Sequence, residues 1–392
     1  MNYELRMEDL RSMSRKTIAL AALAMLMLST ACVAGSSQFS WQWGRDFSKC
    51  TFSHAGYVKH LGYVVYDPKI PAQPGDEDGV GVIETETIVP PERFGMAIPS
   101  WNVDAPSGSY VVLLFQARLN GVWSKWCKLT VYDTDGKPEP KTSCVDSDSI
   151  IYSNTSAVSI KKGDADAIRM RIELRSNDGK TYPTLRYMSI CTVGSAPKDP
   201  NAQVAPLKSV WGTELNVPYL CQLSVPGGSV WCSPTSTAMV LGYWGKQLDR
   251  PELTVGITEA ATAIRDASFG GTGNWGMNTA FAGEFKGITA YVSRFMSVAD
   301  IEKCIAKGVP VIVGLDYNRL NRRNRKDSMG HLMVIRGFTK DGDPVFNDPW
   351  AHVDRGEKLR KVFKRADLEY AWLGDGSSGG TVYIIRPERM KL

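Results

Sequence analysis

Trp231, Cys232, Ser233 and Pro234 lead into Thr235–Leu241, where Ala238, Met239, Val240 and Leu241 continue as a helix. Pro234 suits a first helical turn, because the N–H it lacks would have no partner there. Cys232 therefore stands beside unpaired N–H groups at the positive end of a helix, a setting that favours thiolate over thiol. Gly245 is placed to end that helix in the left-handed conformation. A nucleophilic sulfur needs a proton partner, and the chain has only His54, His60, His331 and His352 to offer. His331 opens an apolar, strand-like run from Gly330 to Gly337 that would hold an imidazole rigidly. Ten positions on, residues 341 to 350 read as a turn, a short strand and then Asp348. Cysteine, histidine and aspartate in that order supply a nucleophile, a base and a group to orient the base. Asn347 is the rival orienting group. Neighbouring side chains on an extended strand point opposite ways, so only one of the two can reach His331.

These residues need a scaffold, and the chain supplies two rhythms. From 38 to 192 the pattern is β. Ser109–Arg118 reads as a buried strand, Asn120-Gly121 signals a type I′ turn, and Val122–Val131 returns. Ile168, Met170, Ile172 and Leu174 alternate with Arg169, Arg171, Glu173 and Arg175, one face in and one face out. Several strands, tight turns and no convincing helix predict a β-sandwich or jelly roll. Residues 193–209, with Gly194, Pro197, Pro200 and Pro206, read as a linker. From 210 to 392 helices precede strands. Ser297 caps a helix that buries Ile301, Cys304 and Ile305, and Val309–Gly314, Leu332–Ile335, Pro344–Phe346 and Thr381–Ile385 read as one antiparallel sheet. A cysteine helix packed on a histidine-bearing sheet is an α+β arrangement.

Composition narrows the class. At 392 residues and 43% hydrophobic, the chain can bury the cores of two domains. A net charge of +5 is too mild at this length to indicate a nucleic-acid partner. Residues 1–34 read as an export signal, with Arg15 and Lys16 ahead of the apolar run Thr17–Leu28. Leu28–Cys32 resembles a lipoprotein cleavage box in which lipid on Cys32 would attach the chain to a membrane; ordinary cleavage near Ala31 or Ala34 is the alternative. The expected location is the cell envelope, lipid-anchored, or the outside as a secreted protein. Export permits disulfides among the eight cysteines, and Cys127 with Cys144 is the pair to expect. Cysteine and histidine spacings of the zinc-binding kind are lacking, so neither metal nor cofactor is expected. Asp76-Glu77-Asp78 lacks the spacing of a calcium loop and is expected to face solvent. The basic run Arg319–Lys326, just ahead of His331, reads as a solvated loop; the functional alternatives are attraction of acidic substrates or anionic envelope polymers, or a mobile lid over the cleft.

Val217–Gln222, Trp231–Ser236, Gly330-His331 and Asn347–Trp350 together resemble the papain-fold cysteine peptidases of family C thirty-nine, in its C39-like branch. The resemblance spans roughly 208 to 392, with these strings in family order. It implies Cys232 as nucleophile, His331 as general base and Asp348 as orienting acid. It also implies that Gln222 joins the Cys232 N–H in an oxyanion hole. The substrate it implies is a peptide or other amide. Two departures stand out: Ser233 where glycine commonly follows the cysteine, and Leu223–Val230, which lengthens the connection from Gln222 to Cys232. Two other readings share the same residues: a surface binding protein whose peptidase-like fold is silent, and an acyl or peptidyl transferase.

Overall fold

The structure, a computed structural model, describes residues 35–135, 151–154, 157–161, 163–194, 204–267, 269–325 and 327–392. The expected export signal, Cys32, Cys144 and most of the expected 193–209 linker therefore lie outside the described residues. Residues 36–194 form two antiparallel sheets. One is built around the long strands Phe94–Asp104 and Thr184–Gly194, the other around Ser109–Leu119 and Ala167–Ser176. The inward half of the alternation read in 168–175 holds, with Ile168, Met170, Ile172 and Leu174 wholly buried; on the outward half Glu173 is itself buried, between Arg171 and Arg175. Asn120 and Gly121 both take positive φ (50° and 83°), as a type I′ turn requires. One helical turn, Gly44–Phe47, interrupts the β pattern where no helix was expected; it plants Phe47 in the core. Asp76 also differs from expectation. It turns inward to pair with Arg171 at 2.6 Å instead of facing water.

The C-terminal part is one six-stranded antiparallel sheet in the order 288–294, 381–387, 311–316, 330–338, 344–347, 360–362. The edge strands Ile288–Arg294 and Arg360–Val362 were not anticipated. The Cys232 helix, Cys232–Leu248, packs against this sheet and is buried at every position from Ser233 to Gly245. In a helix enclosed all round, polar groups are costly unless partnered, and among the described residues Thr235 Oγ1 has no partner while others do. Ser236 Oγ donates to the Leu332 carbonyl, Tyr243 to Gly308 and Trp244 to Ile385. The helix runs past Gly245, and Asp249 takes the left-handed position instead (φ 52°). Gly245 is small for another reason: a Cβ there would lie 3.0 Å from the Arg250 carbonyl.

The two parts share one core and a polar seam. Ile288–Arg294 is a sheet edge whose outward N–H and C=O groups would otherwise lack partners. Asn102, wholly buried, supplies them: its amide donates to the Ala290 carbonyl (2.7 Å) and its Oδ1 accepts from the Ala290 N–H (2.9 Å). Ser100 Oγ accepts from Val292 N–H at 2.8 Å. Across the seam, helix Trp275–Glu284 presents Gly276 and Gly283 to Trp101 and Asn102, and a Cβ on Gly283 would fall 2.1 Å from Asn102 Nδ2. Arg186 closes the helix end by donating to the Glu284 carbonyl at 2.8 Å.

Asn102→Ala strands a buried donor and a buried acceptor on the Ala290 backbone. It is expected to lower unfolding free energy by about 2–4 kcal/mol. Denaturant midpoints at unchanged slope measure the effect, and a shift near zero would show that the seam does not stabilise the chain.

Candidate active site

The geometry begins with strand register. Val334 pairs with Asn347 across the antiparallel ladder, so Asn347 shares a face with Val334 and Arg336. His331 lies on the opposite face, and Asp348, one residue beyond Asn347, alternates onto that same face. His331 Nε2 accordingly sits 2.8 Å from Asp348 Oδ1. Asn347 turns away: its amide donates to the carbonyls of Val217 (3.3 Å) and Pro218 (3.1 Å), while Arg336 donates to its Oδ1. Of the two rivals, only Asp348 reaches the imidazole.

With Nε2 engaged, Nδ1 is left for the sulfur, and Cys232 and His331 hydrogen-bond to each other. Cys232 is half-buried at the first position of its helix. Burial pushes its thiol up. The His331 hydrogen bond and charge, with the N–H groups of Leu332 and Ser233, outweigh that and bring it below the ordinary value. Burial likewise disfavours charge on His331, but its bonds to Asp348 and Cys232 raise it to about 9. Asp348, itself fully buried, is held well below the usual carboxylate range by His331 and Lys361 against the penalty of burial. The two shifts run in opposite directions, the thiol down and the imidazole up, as they do when each group favours the charged form of the other.

Gln222 is buried at the end of a tight loop, and its amide donates to the Gly228 carbonyl at 2.7 Å. The Trp231 N–H donates to the same carbonyl at 3.0 Å, so one peptide oxygen ties Gln222 to the residue before Cys232. Gly228 admits no side chain, since a Cβ would meet the Gln222 carbonyl at 1.7 Å. The extra residues 223–230 therefore fold as two short turns, Gln222–Ser224 and Gly228–Val230, clasped onto Gln222. Gln222 Oε1 has no hydrogen-bond partner among the described residues. The other departure, Ser233, is accommodated beneath Cys232 by a 3.0 Å hydrogen bond with the Tyr383 hydroxyl.

Sequence reasoning missed three neighbours. Tyr317 donates to Asp348 Oδ2 at 3.0 Å and meets the His331 ring edge-on at 4.8 Å. Lys361 Nζ lies 2.8 Å from the same Oδ2. Trp350 donates its N–H to Asp348 Oδ1 and places its ring 6.0 Å from that of His331. Trp350 was visible in the Asn347–Trp350 string, whereas nothing local marks Tyr317 or Lys361. His352 stands one ring further out, 6.1 Å from Trp350. Cys221 is a buried free thiol that donates to the Ala351 carbonyl, away from the His331 pair. Cys304 is a core thiol, and Cys127 is disulfide-bonded. Within the basic run, Arg322 pairs with Asp367 at 2.5 Å, Arg319 and Arg322 both lie over Tyr370, and residues 322–325 are exposed. Arg323 lies over Tyr317. Among the described residues no three or more His, Cys, Asp or Glu side chains converge as metal ligands, and no helix is long and apolar enough to cross a membrane.

Comparison with known proteins agrees with this arrangement of the chain. The profile of the Peptidase_C39 like family matches residues 214–379, and that of the Peptidase C39 N-terminal domain matches residues 41–193. The chain belongs to the C39-like peptidase family, with a strand-rich N-terminal domain ahead of the C39-like domain. Among solved structures, a chain from Bacillus anthracis assigned as a C39-like peptidase is 20% identical over 45% of this chain and 96% of its own, with a TM-score of 0.33. A family two carbohydrate esterase from Cellvibrio japonicus is 9% identical over 44% of this chain and 37% of its own, with a TM-score of 0.18. Both likenesses are too distant to bear on chemistry. No curated protein sequence matches the chain.

Iodoacetamide at pH 6 is expected to modify Cys232 and to spare Cys50, Cys191 and Cys304, whose thiols burial pushes to about 12, 11 and 12. His331→Ala removes the counter-charge, so labelling at pH 6 should fall by at least about tenfold. Peptide mass mapping reads both results. Equal labelling of the two proteins at pH 6 would contradict the lowering of the Cys232 thiol by His331.

Proposed function

We propose that the chain is an exported cysteine peptidase or amidohydrolase, with a papain-like α+β domain behind a β-sandwich, that cleaves a peptide or amide bond. The observation that carries the reading is the line Cys232, His331, Asp348: a sulfur with its thiol brought down, bonded to an imidazole that a buried carboxylate holds at 2.8 Å. In this reading the Cys232 thiolate attacks the substrate carbonyl carbon. The oxyanion accepts from the Cys232 backbone N–H and from the second amide hydrogen of Gln222, the first being spent on Gly228. As the C–N bond breaks, the His331 imidazolium gives its Nδ1 proton to the leaving amine, and a thioester remains on Cys232. Neutral His331 then takes a proton from water, hydroxide adds to the thioester, and the acid product leaves as the thiolate and imidazolium reform. Asp348 keeps its proton off throughout and fixes the ring. No cofactor enters these steps. Export and a lipid on Cys32 are proposed from the sequence of residues 1–34.

Profiling a peptide library with the full chain, against Cys232→Ala, tests the reading. Turnover should vanish in Cys232→Ala, and Gln222→Ala should lower kcat by about 10²–10³-fold with a smaller effect on KM. Turnover should also fall as pH rises through about 9, because His331 loses the proton that the leaving amine needs. Cleavage that survives in Cys232→Ala would refute the assignment.

A further inference from the structure

We propose that Lys361 is a positioning residue for this site: its ammonium shares Asp348 with His331 and thereby sets the pH window in which the sulfur–imidazole pair is charged. The inference rests on the reading of Cys232, His331 and Asp348 given above. Lys361 lies on the edge strand Arg360–Val362, paired with Phe346 of the strand that ends just before Asp348. Its Nζ is 2.8 Å from Asp348 Oδ2, 3.2 Å from the Tyr317 hydroxyl and 3.2 Å from Glu357 Oε2. The carboxylate is thus divided. Oδ1 faces His331 and the Trp350 N–H, while Oδ2 faces Lys361 and Tyr317. Tyr317 spans the two cations, its ring 4.8 Å from the His331 ring and 5.9 Å from the Lys361 ammonium. The titratable and charged groups around the pair are Asp348, Tyr317, Lys361, Glu357 with His352 against it, Tyr383 on the Cys232 side and, over the outer side of Tyr317, Arg323.

A buried carboxylate facing only an imidazole places its whole field on that ring and makes the imidazolium a poor acid. An ammonium on the second oxygen takes up part of that field. It also adds positive potential at the sulfur beyond the ring. Removing the ammonium should therefore raise both ionisations: Cys232 becomes harder to deprotonate, and His331 holds its proton to higher pH. Glu357 opposes Lys361 from the exposed side, so removing that anion should lower both. A lysine that merely packs would produce neither displacement.

The test needs no substrate. The rate of Cys232 alkylation by iodoacetamide, followed from pH 4 to 10 on the full chain with Cys232→Ala as blank, shows one inflection as the thiol ionises and a second as His331 deprotonates. Lys361→Met and Lys361→Gln are expected to move both inflections up by about one pH unit. Lys361→Arg should restore them, and Glu357→Gln should move them down. Thermal unfolding identifies the variants that fold. Inflections that stay in place in either neutral variant, or in Glu357→Gln should neither fold, overturn the role of Lys361 while leaving the Cys232 assignment intact. A wild-type chain in which Cys232 is never alkylated overturns both.

Discussion

A buried carboxylate, Asp348, bonded to the imidazole that faces Cys232 is the constraint around which the C39-like domain is arranged. Charge in such a place is costly unless it is paired and every remaining lone pair finds a donor. Asp348 meets that demand with four donors: His331, Tyr317, Lys361 and the Trp350 N–H. They come from four separate stretches of chain. The sheet must therefore be assembled before the carboxylate can be ionised and buried together.

The sulfur is placed by a second constraint. A helix start supplies the Ser233 N–H, and the neighbouring strand supplies the Leu332 N–H, so the sulfur is met from two elements. That convergence requires the helix to lie close on the strand, which its run of small and apolar residues permits, and the Ser236 bond to the Leu332 carbonyl fixes it. The inserted residues 223–230 belong to the same economy of space. Instead of leaving Gln222 on a long flexible tether, they turn back so that Gly228 seats against its backbone.

The N-terminal domain contributes at a distance. Asn102 and Ser100 satisfy the outward groups of Ala290 and Val292, completing a sheet edge that the C39-like domain leaves open. This is a structural reason for the two domains to travel together. Within the strand-rich domain, Arg169 lies over Trp123 and Trp126 and pairs with Glu84.

Much was legible in the residues alone. Period-two alternation in 168–175, the Asn120-Gly121 turn and the cysteine at a helix mouth are local signals, because each depends on backbone geometry within a few residues. The sequence also narrowed the orienting group to Asn347 or Asp348, since adjacent strand residues must part. Choosing between them took the pairing of Val334 with Asn347, a register that no local pattern encodes. Tyr317 and Lys361 were invisible for the same reason. A tyrosine after a strand and a lysine in a charged run mean nothing until the sheet brings them, from 31 and 13 positions away in the chain, onto one carboxylate oxygen. Residue chemistry determined which groups could react; the order of strands in the sheet decided which of them meet.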